Sequence, residues 1–327
     1  MAVTAGGTNA AGLWTTYILR KFIPALRNNL VLSQYCTKAI LPKGEGAYIA
    51  RWNEMSNMAL DTDALGAVGM GLTVTDNEIT EVTVTKYECT VLNYGQWMKI
   101  DDLAEQSMTR SALDEYADTF AYAGARVLDN LVKIAAVTTT NFMHSGDTAA
   151  AGVTLTTSDT LTAQDAVVAG EILRSKFVRG FEKLGNKYLL AIAPGAELDL
   201  VTDVTTTRLS WSNVFQHTSP GLDKIVNKTN GDVVGAIGRV VVLLSDAIGT
   251  VSEDEDAYTN IAMGKDAVGW LGFGEKQTSP KIVIKRPGSQ DTSNPLDRYM
   301  TIGYKFKGAA RLLNASNSLL VYSATGS

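Results

Sequence analysis

The feature that most constrains this chain is a long β-rich excursion with nothing of its own to cover it. From Leu72 to Ile100, short runs such as Leu72-Thr73-Val74-Thr75, Glu81-Val82-Thr83-Val84-Thr85 and Cys89-Thr90-Val91-Leu92 replace helical spacing. Ala47 to Asn53 can supply a strand before them, so residues 46–100 are expected to form a long two-stranded excursion. Both its faces are mixed, because Val82 and Val84 alternate with Thr83, Thr85, Tyr87, Cys89 and Val91. Between the strands lie Met55, Met58, Leu60, Leu65 and Met70 among glycines and alanines. A lone hairpin is marginal in water. The limb therefore has to lean on something outside its own fold.

Residues 1–45 read as a second limb. After a dozen small residues, Leu13, Trp14, Tyr17, Ile18 and Phe22 recur at three- to four-residue spacing, as on an amphipathic helix that Pro24 limits to a few turns. This arm carries Arg20, Lys21, Arg27, Lys38 and Lys43 against Glu45 alone. The excursion has the opposite sign, with Glu54, Asp61, Asp63, Asp76, Glu78 and Glu81 against Arg51 between 51 and 81.

Residues 101–136 give the clearest helical pattern. Asp102 and Glu105 resemble a capping box, and Leu113, Tyr116, Phe120, Gly124, Val127, Leu131 and Ile134 form a stripe without a proline. A continuous helix of that length runs about 54 Å at 1.5 Å per residue and would act as a spine. A Ser/Thr/Gly linker follows over 138–160. Next comes an alternating α and β region: a helix from about Thr162 turning Val168, Ile172, Leu173 and Phe177 inward, a buried strand over Tyr188–Ala193, and a helix opened by Pro194. Two strands joined by a Gly-containing turn occupy Val233 to Ser245. Residues 260–323 are mostly β, interrupted by the polar loop Gly288 to Pro295, and no internal repeat occurs.

Composition removes several function classes. With 327 residues, 45% of them apolar, the chain can bury one large core or two smaller ones, and its net charge of −5 excludes a broadly cationic nucleic-acid binder. Cys36 and Cys89 cannot build a disulfide framework, and no Cys/His set has zinc spacing. The N-terminus lacks the basic start and apolar run of a signal peptide, and no stretch is apolar enough for a membrane helix, so the chain reads as soluble with no membrane partner. The two histidines, His144 and His217, stand outside any motif, and the nucleophile elbow, phosphate loop and H-E-x-x-H pattern are absent. Gly69-Met-Gly71 and Gly272-Phe-Gly274 read as turns rather than a nucleotide fingerprint. The acidic run Glu253 to Asp256 lacks the layout of a calcium loop. No catalytic, metal or cofactor residue is assigned.

The order of arm, hairpin, spine helix, α/β region and returning strands resembles the major capsid proteins of tailed phages, and local strings place it nearest the family typified by the coliphage called N-four. They are Leu41-Pro42-Lys43-Gly44-Glu45-Gly46 leading into a strand with Arg51; Tyr94-Gly95-Gln96-Trp97 before Asp101-Asp102-Leu103; Gly235-Ala236-Ile237-Gly238-Arg239-Val240; Gly264-Lys265-Asp266-Ala267; Asn294-Pro295-Leu296-Asp297; Gly303-Tyr304-Lys305; and Ala309-Ala310-Arg311-Leu312-Leu313-Asn314. The match runs from about residue 13 to 322. It implies an α+β chain of the Hong Kong 97 type: an N-terminal arm (1–45), an extended loop with its return strand (46–100), a peripheral domain (101–159 and 256–327) and an axial domain (160–255). It also implies a virion shell protein, assembled in the host cytoplasm, that forms hexamers and pentamers with itself around double-stranded DNA. The resemblance further implies decoration, scaffold and portal proteins as partners, and no catalytic residue.

In such a shell, Arg20, Lys21 and Arg27 of one copy are expected near Glu54, Asp61 or Asp63 of the next. Exposed ion pairs contribute only about 0–1 kcal/mol each, so Trp14, Tyr17, Trp52, Met55 and Met58 are expected to carry the affinity. The C-terminal region holds eight Lys/Arg against Asp291 and Asp297 between 276 and 311. Its tip, with Arg286, Asp297 and Arg298, suits contacts at three-fold positions; weak contact with packaged DNA and an ordinary solvated face are the competing readings. The alternatives for the whole chain are a phage tail or decoration protein and a β-rich hydrolase using paired carboxylates.

Overall fold

The computed structural model describes residues 31–41, 49–55, 84–101, 111–146, 155, 159–202, 233–248, 250–251, 257–273, 281–285 and 299–325. Two large sheets share one hydrophobic core. A third, two-stranded ribbon leaves it.

The first sheet is built on a single long strand. Strands β1 (Thr37–Leu41), β2 (Ile49–Met55), β3 (Val84–Thr90) and β4 (Leu92–Asp101) come first in the chain, followed by helix α1 (Ser111–Val137) and strand β5 (Phe142–His144). Further on lie helix α2 (Ala163–Ser175), β6 (Tyr188–Ile192), helix α3 (Pro194–Thr202), β7 (Val233–Ile237), β8 (Val240–Leu244), β9 (Thr250–Val251), β10 (Ala257–Met263), β11 (Val268–Phe273), β12 (Lys281–Lys285), β13 (Tyr299–Leu312) and β14 (Ser318–Ala324). The 14-residue β13 pairs antiparallel with β4 along most of its length, with β12 at its start and with β11 at its end; β1 adds to β11 in parallel. Strand alternation sends Met300, Ile302, Tyr304 and Phe306 to one face, where they are buried. Helix α1 lies on that face, with Phe120 edge-on to Tyr304 at 5.9 Å between ring centres.

The second sheet runs β5-β14-β10-β6-β8-β7, with β9 on β10. Tyr188-Leu-Leu-Ala-Ile192 is buried at every position, as a central strand covered on both faces must be. Thr162 and Asp165 close a reciprocal cap at the start of α2. The Asp165 carboxylate accepts from the Thr162 amide at 2.9 Å and the Thr162 hydroxyl at 2.7 Å, while the Asp165 amide donates back to that hydroxyl. Helix α3 starts at Pro194, and Gly238 at φ +53 makes the tight turn between β7 and β8. The two large sheets interleave in sequence: β10 and β14 belong to the second, β11 to β13 to the first.

Several expectations are corrected. Asp101 ends strand β4, and the described helix begins at Ser111; Asp102 and Glu105 lie outside the described residues. The buried face of α1 is Phe120, Ala121, Ala125, Leu128, Val132, Ala135 and Ala136, whereas Val127 and Leu131 sit on its flank and Ile134 is 56% exposed. The alanines win because a helix approaches a sheet more closely on its small side chains. Phe177, expected inward, is 88% exposed, and α2 packs instead through Ala163, Ala166, Ala169, Gly170 and Leu173. At Gly170 a Cβ would fall 2.7 Å from Val240 Cγ2, so the fit of helix to sheet depends on that missing atom. The linker also contains β5, which pairs in parallel with β14, and Gly272 lies within β11 rather than in a turn.

Candidate assembly surfaces

Each surface follows from what the strand register turns outward. In the ribbon, β2 and β3 pair from Ile49–Thr90 to Met55–Val84, with Trp52 opposite Tyr87. Its root is covered: Cys89 packs with Leu271 and Ala309, and Trp52, Ala39 and Val91 pack against them. Trp52 is thus half-buried in its own subunit. Its remaining surface lines a hollow of about 520 Å3 shared with Tyr87, Phe177, Arg179, Lys265 and Leu313.

The side of the β4-β13-β12 sheet opposite α1 is exposed. Trp97 pairs with Gly303, whose other neighbour is Val283, so the indole lies over a glycine gap. A Cβ at Gly303 would fall 2.8 Å from the Gln96 carbonyl and from Trp97 Cβ. Trp97 is 63% exposed, and Lys99 Nζ sits 5.7 Å from its ring centre and 4.5 Å from that of Tyr299. With Lys285 and Lys305 these residues edge a groove of about 650 Å3. Its chemistry is aromatic and cationic, with no carboxylate among the lining residues.

A third feature anchors the chain that precedes β1. Residues Leu32–Tyr35 form a short 3-10 turn, and the carboxylate of Asp129, in the middle of α1, accepts from the amides of Val31 at 2.8 Å and Ser33 at 3.0 Å. A buried acid inside a helix face thereby caps the start of a turn almost a hundred residues earlier in sequence. Burial pushes its pKa up, and the backbone donors only partly oppose this. Farther along α1, the Tyr122 hydroxyl donates to Asp246 at 2.6 Å, and this bond raises its pKa.

Among the described residues no group of three or more His, Cys, Asp or Glu could hold a metal, and no helix is long and apolar enough to cross a membrane. His144 is half-buried between the rings of Phe142 and Tyr322.

The architecture has counterparts among solved structures. The chain is similar to the capsid of Ralstonia phage GP4, with a TM-score of 0.65 at 11% identity over 89% of this chain and 87% of that one. It is also similar to the cyanophage Pam1 capsid asymmetric unit, with a TM-score of 0.60 at 11% identity over 89% of each chain. This chain has the Hong Kong 97 capsid fold. A third match, the acidic stable capsid structure of Helicobacter pylori bacteriophage KHP30, scores 0.57 at 11% identity over 88% of both chains. No protein-family model matches the sequence, and no curated protein matches it by sequence.

Within this Hong Kong 97 fold, the expected contact residues are only partly in view. Trp14, Tyr17, Arg20, Lys21, Arg27, Met58, Asp61, Asp63, Arg286, Asp297 and Arg298 lie outside the described residues. Trp52, Glu54 and Met55 lie together on β2, opposite Tyr87, Thr85 and Val84. Sequence reasoning missed Trp97, Lys99 and Val283 as an exposed face. The period-two alternation of Gly95, Trp97 and Lys99 against Tyr94, Met98 and Ile100 held that information. It also missed Asp129, for which a charge within an apolar stripe was the only available sign.

Proposed function

We propose that this chain is the major capsid protein of a tailed phage, a structural subunit rather than an enzyme, which self-assembles into the hexamers and pentamers of an icosahedral head around double-stranded DNA. The observation that carries this reading is the capsid fold extending over about nine-tenths of the chain. The ribbon supports it physically: among the described residues, strands β2 and β3 form a separate two-stranded sheet that meets the body through Cys89, with Trp52 packed against the same cluster. Residues 1–45 act as the arm and 46–100 as the extended loop, with β4 joined to the peripheral sheet through β13. Residues 101–159 and 256–327 form the peripheral domain, and 160–255 the axial domain. The mature subunit resides in the virion after assembly in the host cytoplasm, and scaffold, portal or decoration proteins are further partners. Cationic residues of the C-terminal region touch the packaged genome weakly and without sequence preference.

Many moderate contacts suit a subunit that has to occupy five- and six-fold settings, since their sum gives strength while each adjusts. The test is electron microscopy of the purified chain under assembly conditions, alone and with its phage's scaffold protein. Closed shells built of pentamers and hexamers are the expected result. Monomers in both conditions overturn the reading, and open tubes favour a tail protein.

A further inference from the structure

The most exposed large apolar side chain among the described residues is also held by an unfavourable backbone. Helix α2 ends in a Schellman arrangement: the Phe177 amide donates to the Arg174 carbonyl at 2.9 Å, and the Val178 amide donates to the Leu173 carbonyl at 3.2 Å. The motif puts its penultimate position in left-handed space, where glycine is the usual residue. Here that position is Phe177, at φ +57 with its ring 88% exposed. A β-carbon in this region is disfavoured, and an aromatic ring in water gains no burial in return.

The surrounding structure fixes this conformation. Val178 is buried, its carbonyl accepts the Tyr188 hydroxyl at 2.9 Å, and the Arg179 carbonyl accepts the Lys265 amide at 2.8 Å. Gly264 lies so close that a Cβ there would fall 2.1 Å from Val178 Cγ1. The loop is therefore clamped from both sides, and the ring projects from a rigid base. Beside it lies the 520 Å3 hollow, whose rim carries Lys176, Arg179 and Lys265 against the carboxylate of Asp266; Lys265 is itself paired with Glu182 at 2.7 Å, so Lys176 and Arg179 carry the rim's positive charge.

We propose that Phe177 is an assembly knob, inserted into an apolar site on a second copy of this chain. The charges indicate the partner. A cationic rim selects an anionic surface, and this sequence concentrates acid in three stretches, 51–81, 101–118 and 253–256. Rigid presentation reduces the entropy lost on docking, which explains why strain is tolerated at this position. The inference rests on the shell reading above and adds to it a named contact of the axial region.

The test compares wild type with Phe177→Gly and Phe177→Leu, using thermal unfolding of the isolated subunit, sedimentation velocity and particle yield. Glycine relieves the backbone and removes the ring; leucine keeps apolar bulk on the same backbone. The expected result is an unfolding midpoint for F177G at or slightly above that of wild type, self-association at least tenfold weaker, and substantial recovery in F177L. Normal association of F177G overturns the knob while leaving the shell intact. A lowered midpoint, or equal failure of F177L, assigns Phe177 an ordinary structural role and also overturns it. Wild-type oligomers that never close, together with monomeric F177G, sink the shell reading and keep the knob. A wild type that stays monomeric under assembly conditions overturns both.

Discussion

Asp129→Ala isolates the tie between the turn at Leu32–Tyr35 and helix α1. The carboxylate is 4% exposed and is the acceptor for two amides, those of Val31 and Ser33. Those amides begin a 3-10 turn and have no partner within it. Alanine leaves both donors without an acceptor, at about 1–3 kcal/mol each, or about 2–6 kcal/mol before any relaxation. A part is returned, because burial raises the pKa of Asp129 and so makes the ionised form costly to hold. The net loss is about 1–4 kcal/mol. If the turn opens locally, each 1.4 kcal/mol is a factor of ten, so amide exchange at 32–35 accelerates about 5- to 700-fold. Hydrogen-exchange mass spectrometry of the unassembled subunit reads this directly. Unchanged exchange at 32–35, with the variant folded, refutes the tie.

The same site sets a pH dependence with a definite sign. Asp129 has a folded pKa above its unfolded value, so between the two the folded state binds more protons. Its contribution to stability is complete below the ordinary aspartate range and is lost as pH rises through the raised folded value. Asp129→Asn cannot titrate. The wild type should therefore gain stability relative to D129N on moving from neutral pH toward pH 4, read from urea midpoints at each pH. A relative loss over that interval contradicts the assignment.

Three further outcomes follow from packing. Trp52→Ala removes the half-buried cover over Cys89 and Leu271; it should cost about 1–3 kcal/mol, loosen amide protection across β2–β3, and reduce particle yield together. Gly308→Ala would put a Cβ 2.4 Å from Trp270 Cζ2, and Trp270 is 1% exposed with little room to move, so a loss of about 1–3 kcal/mol in chemical denaturation is expected. Both cysteines should resist alkylation near pH 8 until the chain unfolds. Burial raises the thiol of Cys36, with Asp129 adding to it, and burial raises that of Cys89 against the opposing charge of Arg311.

How much of this was readable depends on where each element finds its partners. The ribbon, the buried strand at Tyr188, the Pro194 helix start and the Gly238 hairpin carry their causes locally, in β-branched runs, a proline and a turn glycine. Helix faces were less legible. On α1 and α2 some large residues of the expected stripe do reach the core, Phe120 and Leu173 among them, but alanines beside it share the contact with the sheet, and nothing local reveals which stripe meets a surface. Phe177 failed for a related reason. Its spacing continued the α2 stripe, but the helix ends at Ser175, and the turn beyond it reverses the side chain's direction. Asp129 and the β4-β13 face join residues far apart in sequence, so only the fold brings them together.

These misreadings bear on assembly. The buried stripe of small residues lets α1 lie close to the long strand β13, so the body closes without Ile134, Trp97 or Phe177. Among the described residues, these three exposed apolar groups stand on a helix, a strand and a clamped turn. Rigid apolar groups lose little freedom when covered. Cationic side chains stand beside two of them, Lys99 at Trp97 and Arg179 at Phe177. On the shell reading proposed above, stability and association then draw on different side chains.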